Sequence, residues 1–174
     1  MRKINKLVVH HTASGRDITT LDMINNWHKA RWADFQSSLG FWVGYHYVIG
    51  KDWIKQTRSN QEDGAHTYGF NSDSIGICLT GNFETEQPNN YQLEELRKLL
   101  VGLMAEYGLK EKDIYLHKEL AATACPGRNL PHSLIKLLLH PADTTPANPA
   151  LLETEKQKMT NFINDIEAVI NKYK

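Results

Sequence analysis

Two histidines and a cysteine, His10, His117 and Cys125, stand at the ends of short apolar segments or just after them. Imidazole and thiolate together form a donor set that suits zinc, and three protein ligands leave such an ion a fourth position for water. The spacing alone is a weak signal. It is neither a zinc-finger pattern nor an HExxH helix, a histidine at a strand end is commonly structural, and a lone cysteine commonly fills a core. The chain nevertheless holds eight histidines beside two cysteines in 174 residues. That ratio excludes a disulfide-rich scaffold and makes a metal or acid–base site worth seeking.

Separate elements must bring these residues together. Ile4 to Val9 is a β-branched run that predicts a buried strand delivering His10, and Ile114 to Leu116 predicts a short strand delivering His117. The segment Ala121–Ala124 then allows a turn back to Cys125. Asp17 to Thr20 offers N-cap candidates for a helix carrying Leu21, Ile24 and Trp27. Tyr45 to Ile49 and Trp53 to Gln56 read as a hairpin across Gly50-Lys51-Asp52, and residues 59–73 as a long polar loop. Ser74 to Thr80 is continuously apolar, as a central strand buried on both faces would be, and Gly76 inside it marks a close approach. Leu93, Leu96, Leu99, Leu100, Leu103 and Tyr107 predict an amphipathic helix ended by Gly108. A short helix follows from about Pro131 to Leu139.

Hydrophobic residues are 41% and charged residues 23% of the chain, enough for one filled core with an appendage. Lys+Arg and Asp+Glu each total 20, so the formal net charge is zero, which argues against capture of nucleic acid or anionic membrane by bulk charge. No apolar run approaches the roughly 18 residues of a membrane span. The basic start is followed only by Leu7-Val8-Val9, so no signal peptide is expected and synthesis in the cytoplasm is. Residues 1–140 are expected to form the main domain and 141–150, with three of the six prolines, a semi-rigid linker. In residues 151–174, Leu152, Met159, Ile166 and Tyr173 recur every seven residues, giving an amphipathic helix that either packs back or supports self-association or partner docking.

The segments VVHHTAS (8–14), WHK (27–29), GYHYVI (44–49), GAHTYGFNSDSIGICLTGNF (64–83) and LHKELAATACPG (116–127) occur in this order. Together, over residues 4 to 139, they resemble the type-2 N-acetylmuramoyl-L-alanine amidases, a family that includes phage lysozyme amidases and peptidoglycan recognition proteins. The resemblance implies an α/β fold, a mixed central sheet flanked by helices, with one zinc ion per chain at the floor of an open groove. It implies hydrolysis of the amide between the lactyl group of N-acetylmuramic acid and the L-alanine of the stem peptide, with peptidoglycan or muropeptide as substrate. His10, His117 and Cys125 would be the zinc ligands, Tyr45 the catalytic tyrosine and Thr123 a hydroxyl stabilising the reacting centre. His28, His66 and Asn71 would touch substrate, although each also reads as an ordinary helix-surface or turn residue.

A phage or prophage endolysin, held in the cytoplasm until it reaches the wall, is the expected role. A non-catalytic peptidoglycan-binding module and a cytosolic muropeptide-recycling amidase are the alternatives. Cys125 speaks against the first, and the absence of a matching carboxylate against the second. His11 is expected on the sheet face opposite His10, His46 to alternate away from Tyr45 into the core or behind a ligand imidazole, and Cys78 to be a core thiol. Two features depart from the family pattern. Ala30 to Phe41 is long, and its Trp32, Phe35, Phe41 and the following Trp42 could wall the groove or form a satellite cluster; Trp53 replaces a turn glycine.

Overall fold

Among the described residues, the apolar runs become five strands of one sheet: β1 (Lys6–His11), β2 (Tyr47–Ile49), β3 (Ile54–Gln56), β4 (Ser74–Leu79) and β5 (Ile114–Leu116), in the order β3-β2-β4-β1-β5. The computed structural model describes residues 2–140. Met1 and residues 141–174, with the expected linker and terminal helix, lie outside the described residues. The chain divides into two units, residues 1–139 and 140–174, and all that follows concerns the first.

The central position of β4 explains its composition, because every residue of SIGICL is buried. β1 and β2 flank it in parallel, β5 adds to β1 in parallel, and β3 alone runs antiparallel, against β2 through the expected hairpin. The sheet is therefore mixed. At the hairpin, the Gly50 N–H donates to the Trp53 carbonyl at 2.7 Å and the Trp53 ring covers Gly50, so tryptophan closes this turn by packing.

Period two sorts the strands onto two faces. Leu7, Val9, Ile75, Ile77, Leu79, Ile114 and Leu116 turn one way, onto Leu96, Leu100 and Leu103 of α2 (Asn90–Tyr107) and Ile135 of α4 (His132–Leu139). That face is the main core. Val8, His10, Gly76 and Cys78 turn the other way, and there α1 (Leu21–Arg31) contributes Ile24 to a smaller cluster with Val43 and Val48.

The helices begin and end where their caps dictate. The Thr20 hydroxyl accepts the Met23 N–H at 3.3 Å to start α1. Asn89 and Gln92 form a reciprocal capping box for α2, and Gly108, at φ 66°, closes it in the left-handed region. Two short elements lacked any periodic signal: a 3-10 turn over Glu111–Asp113 and α3 (His117–Leu120).

Residues 59–73 form no helix or strand, yet they are tied down. The Arg2 guanidinium donates to the carbonyls of Glu62, Ser72 and Ser74. Glu62 accepts the backbone N–H groups of Ser38 and Ser59, both at 2.8 Å. Asn71 Oδ1 accepts those of His66 at 2.9 Å and Thr67 at 2.8 Å. A long loop is thereby fixed by its ends and its middle, and it holds His66 over the sheet.

Candidate metal centre and groove

β1 ends at His10 and His11, and their alternation sends the rings to opposite faces. The His11 ring leaves the site: its Nδ1 accepts the Phe83 N–H at 3.1 Å. His10 remains on the face of Cys78 and is 1% exposed. β5 runs beside β1 and hands the chain to α3, whose first residue is His117, with its ring 4.4 Å from that of His10. The turn after α3 is closed by the Lys118 N–H donating to the Cys125 carbonyl at 2.8 Å, which brings Cys125 back under β1. One ligand atom each from His10, His117 and Cys125 lie within 4.8 Å of one another, and no other such group occurs among the described residues.

The donor set fits a divalent metal ion. Cys125 Sγ lies 3.8 Å from His10 Nδ1, close to the roughly 3.6 Å that separates thiolate and imidazole ligands in a tetrahedral zinc site. The sulfur also accepts the His11 N–H at 3.3 Å, a contact that favours thiolate. Burial pushes the Cys125 thiol up to about 11, and a bound cation is the charge that would reverse this. Burial lowers the histidines: His10 well below its ordinary value, His117 more modestly. Neutral imidazoles are the ligating form.

Above the cluster opens a groove of about 590 Å³ lined by His28, Arg31, Trp32, Tyr45, Ala65, His66, Thr67, Tyr68, Asn71, His117 and Ala121. None of these is acidic. A second hollow of about 670 Å³, between β5 and α4, is lined by Glu111, Lys112, Tyr115, Glu119, His132 and Lys136 among others. It is larger but holds no member of the His–Cys cluster, so the chemistry belongs to the first.

Tyr45 is half-buried, its ring 5.1 Å from that of His10 and 5.4 Å from that of His28. Burial, with Cys78 and Cys125 nearby, raises its pKa, so the phenol keeps its proton. His28 Nδ1 accepts the Gly44 N–H at 2.8 Å, which leaves Nε2–H as a donor, and burial lowers its pKa to about 4. Asn71 spends its carbonyl oxygen on the loop backbone and keeps its amide N–H groups for the groove. Thr123 is exposed and outside the groove lining; its Oγ1 accepts the Cys125 N–H at 3.2 Å, which frees the hydroxyl hydrogen to donate.

Tyr45 lines the groove, whereas His46 is fully buried and absent from that lining, its ring 5.7 Å from that of His66. Cys78 is fully buried, and it is more than filler, because it neighbours the Tyr45 phenol. Of the four aromatics offered as a wall, only Trp32 lines the groove. Phe35 stacks on the Arg58 guanidinium, Trp42 on the Lys29 ammonium, and Phe41 packs on the small cluster. Arg31 and Tyr68 went unremarked in the sequence. Arg31, three residues after His28 on α1, shares its helix face.

A family profile described as N-acetylmuramoyl-L-alanine amidase matches residues 1–128. The chain belongs to this amidase family. The chain is accordingly an amide hydrolase, and the amidase resembles phage and animal relatives alike. It is 35% identical over 114 residues to the endolysin of Escherichia phage T7, covering 62% of this chain and 69% of that protein. It is 30% identical over 135 residues to a peptidoglycan recognition protein of Bombyx mori, covering 74% and 67%. Among solved structures, the N-acetylmuramoyl-L-alanine amidase LysC from Clostridium intestinale URNW superposes with a TM-score of 0.68 at 33% identity, covering 79% of this chain and 86% of that one.

Proposed function

We propose that this amidase is zinc-dependent, cleaves the lactyl–L-alanine amide of peptidoglycan, and serves as a phage or prophage endolysin that acts on the wall after release from the cytoplasm. The observation that carries the reading is the convergence of His10, His117 and Cys125 beneath an open groove. Two neutral imidazoles and one thiolate leave a zinc site with a net charge of about +1. Bound zinc supplies a water whose pKa falls to about 7 and a Lewis acid for the scissile carbonyl.

The chain's own residues do the rest. The Tyr45 phenol, protonated at neutral pH, offers a hydrogen bond toward the reacting carbonyl oxygen. The Thr123 hydroxyl has a hydrogen to give to the same developing charge, without the positive charge of a lysine. His28 Nε2–H and the Asn71 amide donate to glycan or stem-peptide carbonyls. Arg31, whose guanidinium lies 5.0 Å over the Trp32 ring, supplies a cation for a stem-peptide carboxylate in a groove with no acidic lining.

The test is a digest of defined muropeptides by purified protein of known metal content. We expect one zinc ion per chain and peptides released with a free L-alanine amino terminus, identified by mass. Full activity in a zinc-free preparation, or scission of the glycan strand with the amide intact, would sink the proposal.

A further inference from the structure

His66 faces the groove, and a histidine there reads first as a substrate contact. Its hydrogen bonds point elsewhere. His66 Nδ1 lies 3.1 Å from His10 Nε2, and Thr67 Oγ1 lies 3.1 Å from His66 Nδ1 and 3.4 Å from His10 Nε2. His10 presents its other nitrogen, Nδ1, to Cys125. If Nδ1 is the metal-facing atom, Nε2 must carry the proton and needs an acceptor. His66 Nδ1 provides it, either directly or through the Thr67 hydroxyl, which can accept from His10 and donate to His66. Both routes fix the same tautomers: protonated Nε2 on His10, bare Nδ1 on His66.

The surroundings hold the His66 ring in this pose. Asn71 Oδ1 pins the backbone of His66 and Thr67. Beneath the ring lie Gly76 and Gly64: a Cβ on Gly76 would meet the ring at 2.6 Å, and one on Gly64 at 2.4 Å. Ser74 Oγ lies 3.5 Å from His66 Nε2, the nitrogen that keeps its hydrogen. Two glycines, an asparagine and a serine are thus arranged around one ring whose inward nitrogen addresses a candidate ligand.

We infer that His66 is a positioning residue for His10, holding the tautomer and ring angle with which His10 presents Nδ1 to the metal. The inference rests on the metal reading of the cluster. A hydrogen-bond partner on the far nitrogen of a ligating imidazole fixes its tautomer and raises its basicity, and losing such a partner typically costs roughly 10- to 100-fold in metal affinity.

The geometry makes the test selective. Asparagine places an amide oxygen near the position of the histidine Nδ1, whereas leucine fills volume and accepts nothing. Zinc affinity of the full chain, measured by chelator competition without substrate, should fall by roughly 10- to 100-fold in His66→Leu and recover most of that loss in His66→Asn. The cobalt-substituted variants give a second readout, because a mispositioned imidazole changes the ligand-field spectrum of His66→Leu but not of His66→Asn. Wild-type zinc affinity in His66→Leu, with KM raised alone, would make His66 a substrate contact and overturn the inference by itself. A wild-type chain with no measurable zinc affinity would overturn the metal reading and this inference together.

Discussion

The two faces of β1 and β4 are built from the same strands and obey opposite rules. On one, Leu7, Val9, Ile75, Ile77 and Leu79 meet the leucines of α2, with side chains that ask only for volume and exclusion of water. On the other, Val8, His10, Gly76 and Cys78 alternate with them one residue out of step, and what covers them is a tied loop, α1 and a groove. Polar groups there meet specific partners: His10 meets His66, His46 the Gly76 N–H, and Cys125 the His11 N–H. The first face supplies stability with little chemistry, and the second supplies chemistry with costly polar burial that hydrogen bonds must offset. A sheet can hold a metal centre rigidly because its reverse side is dense.

The sharpest way to break this division is a crossed pair of substitutions. Leu100→Ala removes a fully buried side chain from the apolar face and should cost about 2–5 kcal/mol of unfolding free energy, with kcat/KM per folded molecule unchanged. Cys125→Ser should abolish amide hydrolysis while moving stability by only about 1 kcal/mol in the metal-free chain. Denaturant titration alongside the muropeptide digest measures both. If Leu100→Ala lowered the specific activity of the folded protein, or Cys125→Ser unfolded it, the faces would not be separable.

A finer contrast sets neighbours on β4 against each other. Ile77→Val trims the dense face by one methyl and should cost about 0.5–1.5 kcal/mol. Gly76→Ala adds one methyl on the polar face, yet its Cβ would lie 2.6 Å from the His66 ring. Overpacking there should cost about 1–3 kcal/mol, and should loosen bound zinc as the ring shifts. Equilibrium unfolding and chelator competition on the two variants decide it: equal stability losses with zinc retained would mean the ring is free to yield.

The dense face was legible in the sequence and the polar one only in outline. The apolar residues concentrated in Ile4–Val9 and Ser74–Leu79, and the leucine spacing of α2, announce buried surfaces because burial imposes a pattern. Gly76 also announced itself, since a glycine inside a buried strand has few reasons other than close approach. His10, His117 and Cys125 were visible as strand-end residues, but only the order of five motifs singled them out. The pairing of His66 with His10 spans 56 positions through a loop with no period, so nothing local encodes it. Phe35 and Trp42 found the cations of Arg58 and Lys29 rather than the groove, a choice that depends on loop geometry.

The electrical side of the same contrast is read by pH. His46 is fully buried, its Nδ1 accepting the Gly76 N–H at 3.0 Å and its Nε2 beside the Glu62 carbonyl at 3.0 Å, and burial lowers its pKa from 6.5 to about 4. Between those values the unfolded chain binds a proton that the folded chain refuses. Stability is therefore fully present above about pH 6.5 and is lost as pH falls toward 4, by at most about 1.4 kcal/mol per pH unit for each such histidine. His28, also lowered to about 4, adds to the fall, whereas the leucines of the other face carry no proton. Urea unfolding of the metal-free chain at intervals between about pH 7 and pH 4.5 should thus show Leu100→Ala displaced from wild type by a constant amount. His46→Gln should instead converge on wild type as the pH drops, because its own slope is shallower by one histidine. Parallel curves for wild type and His46→Gln would mean that His46 takes up its proton in the folded state, and that the polar face tolerates charge where its burial says it should not.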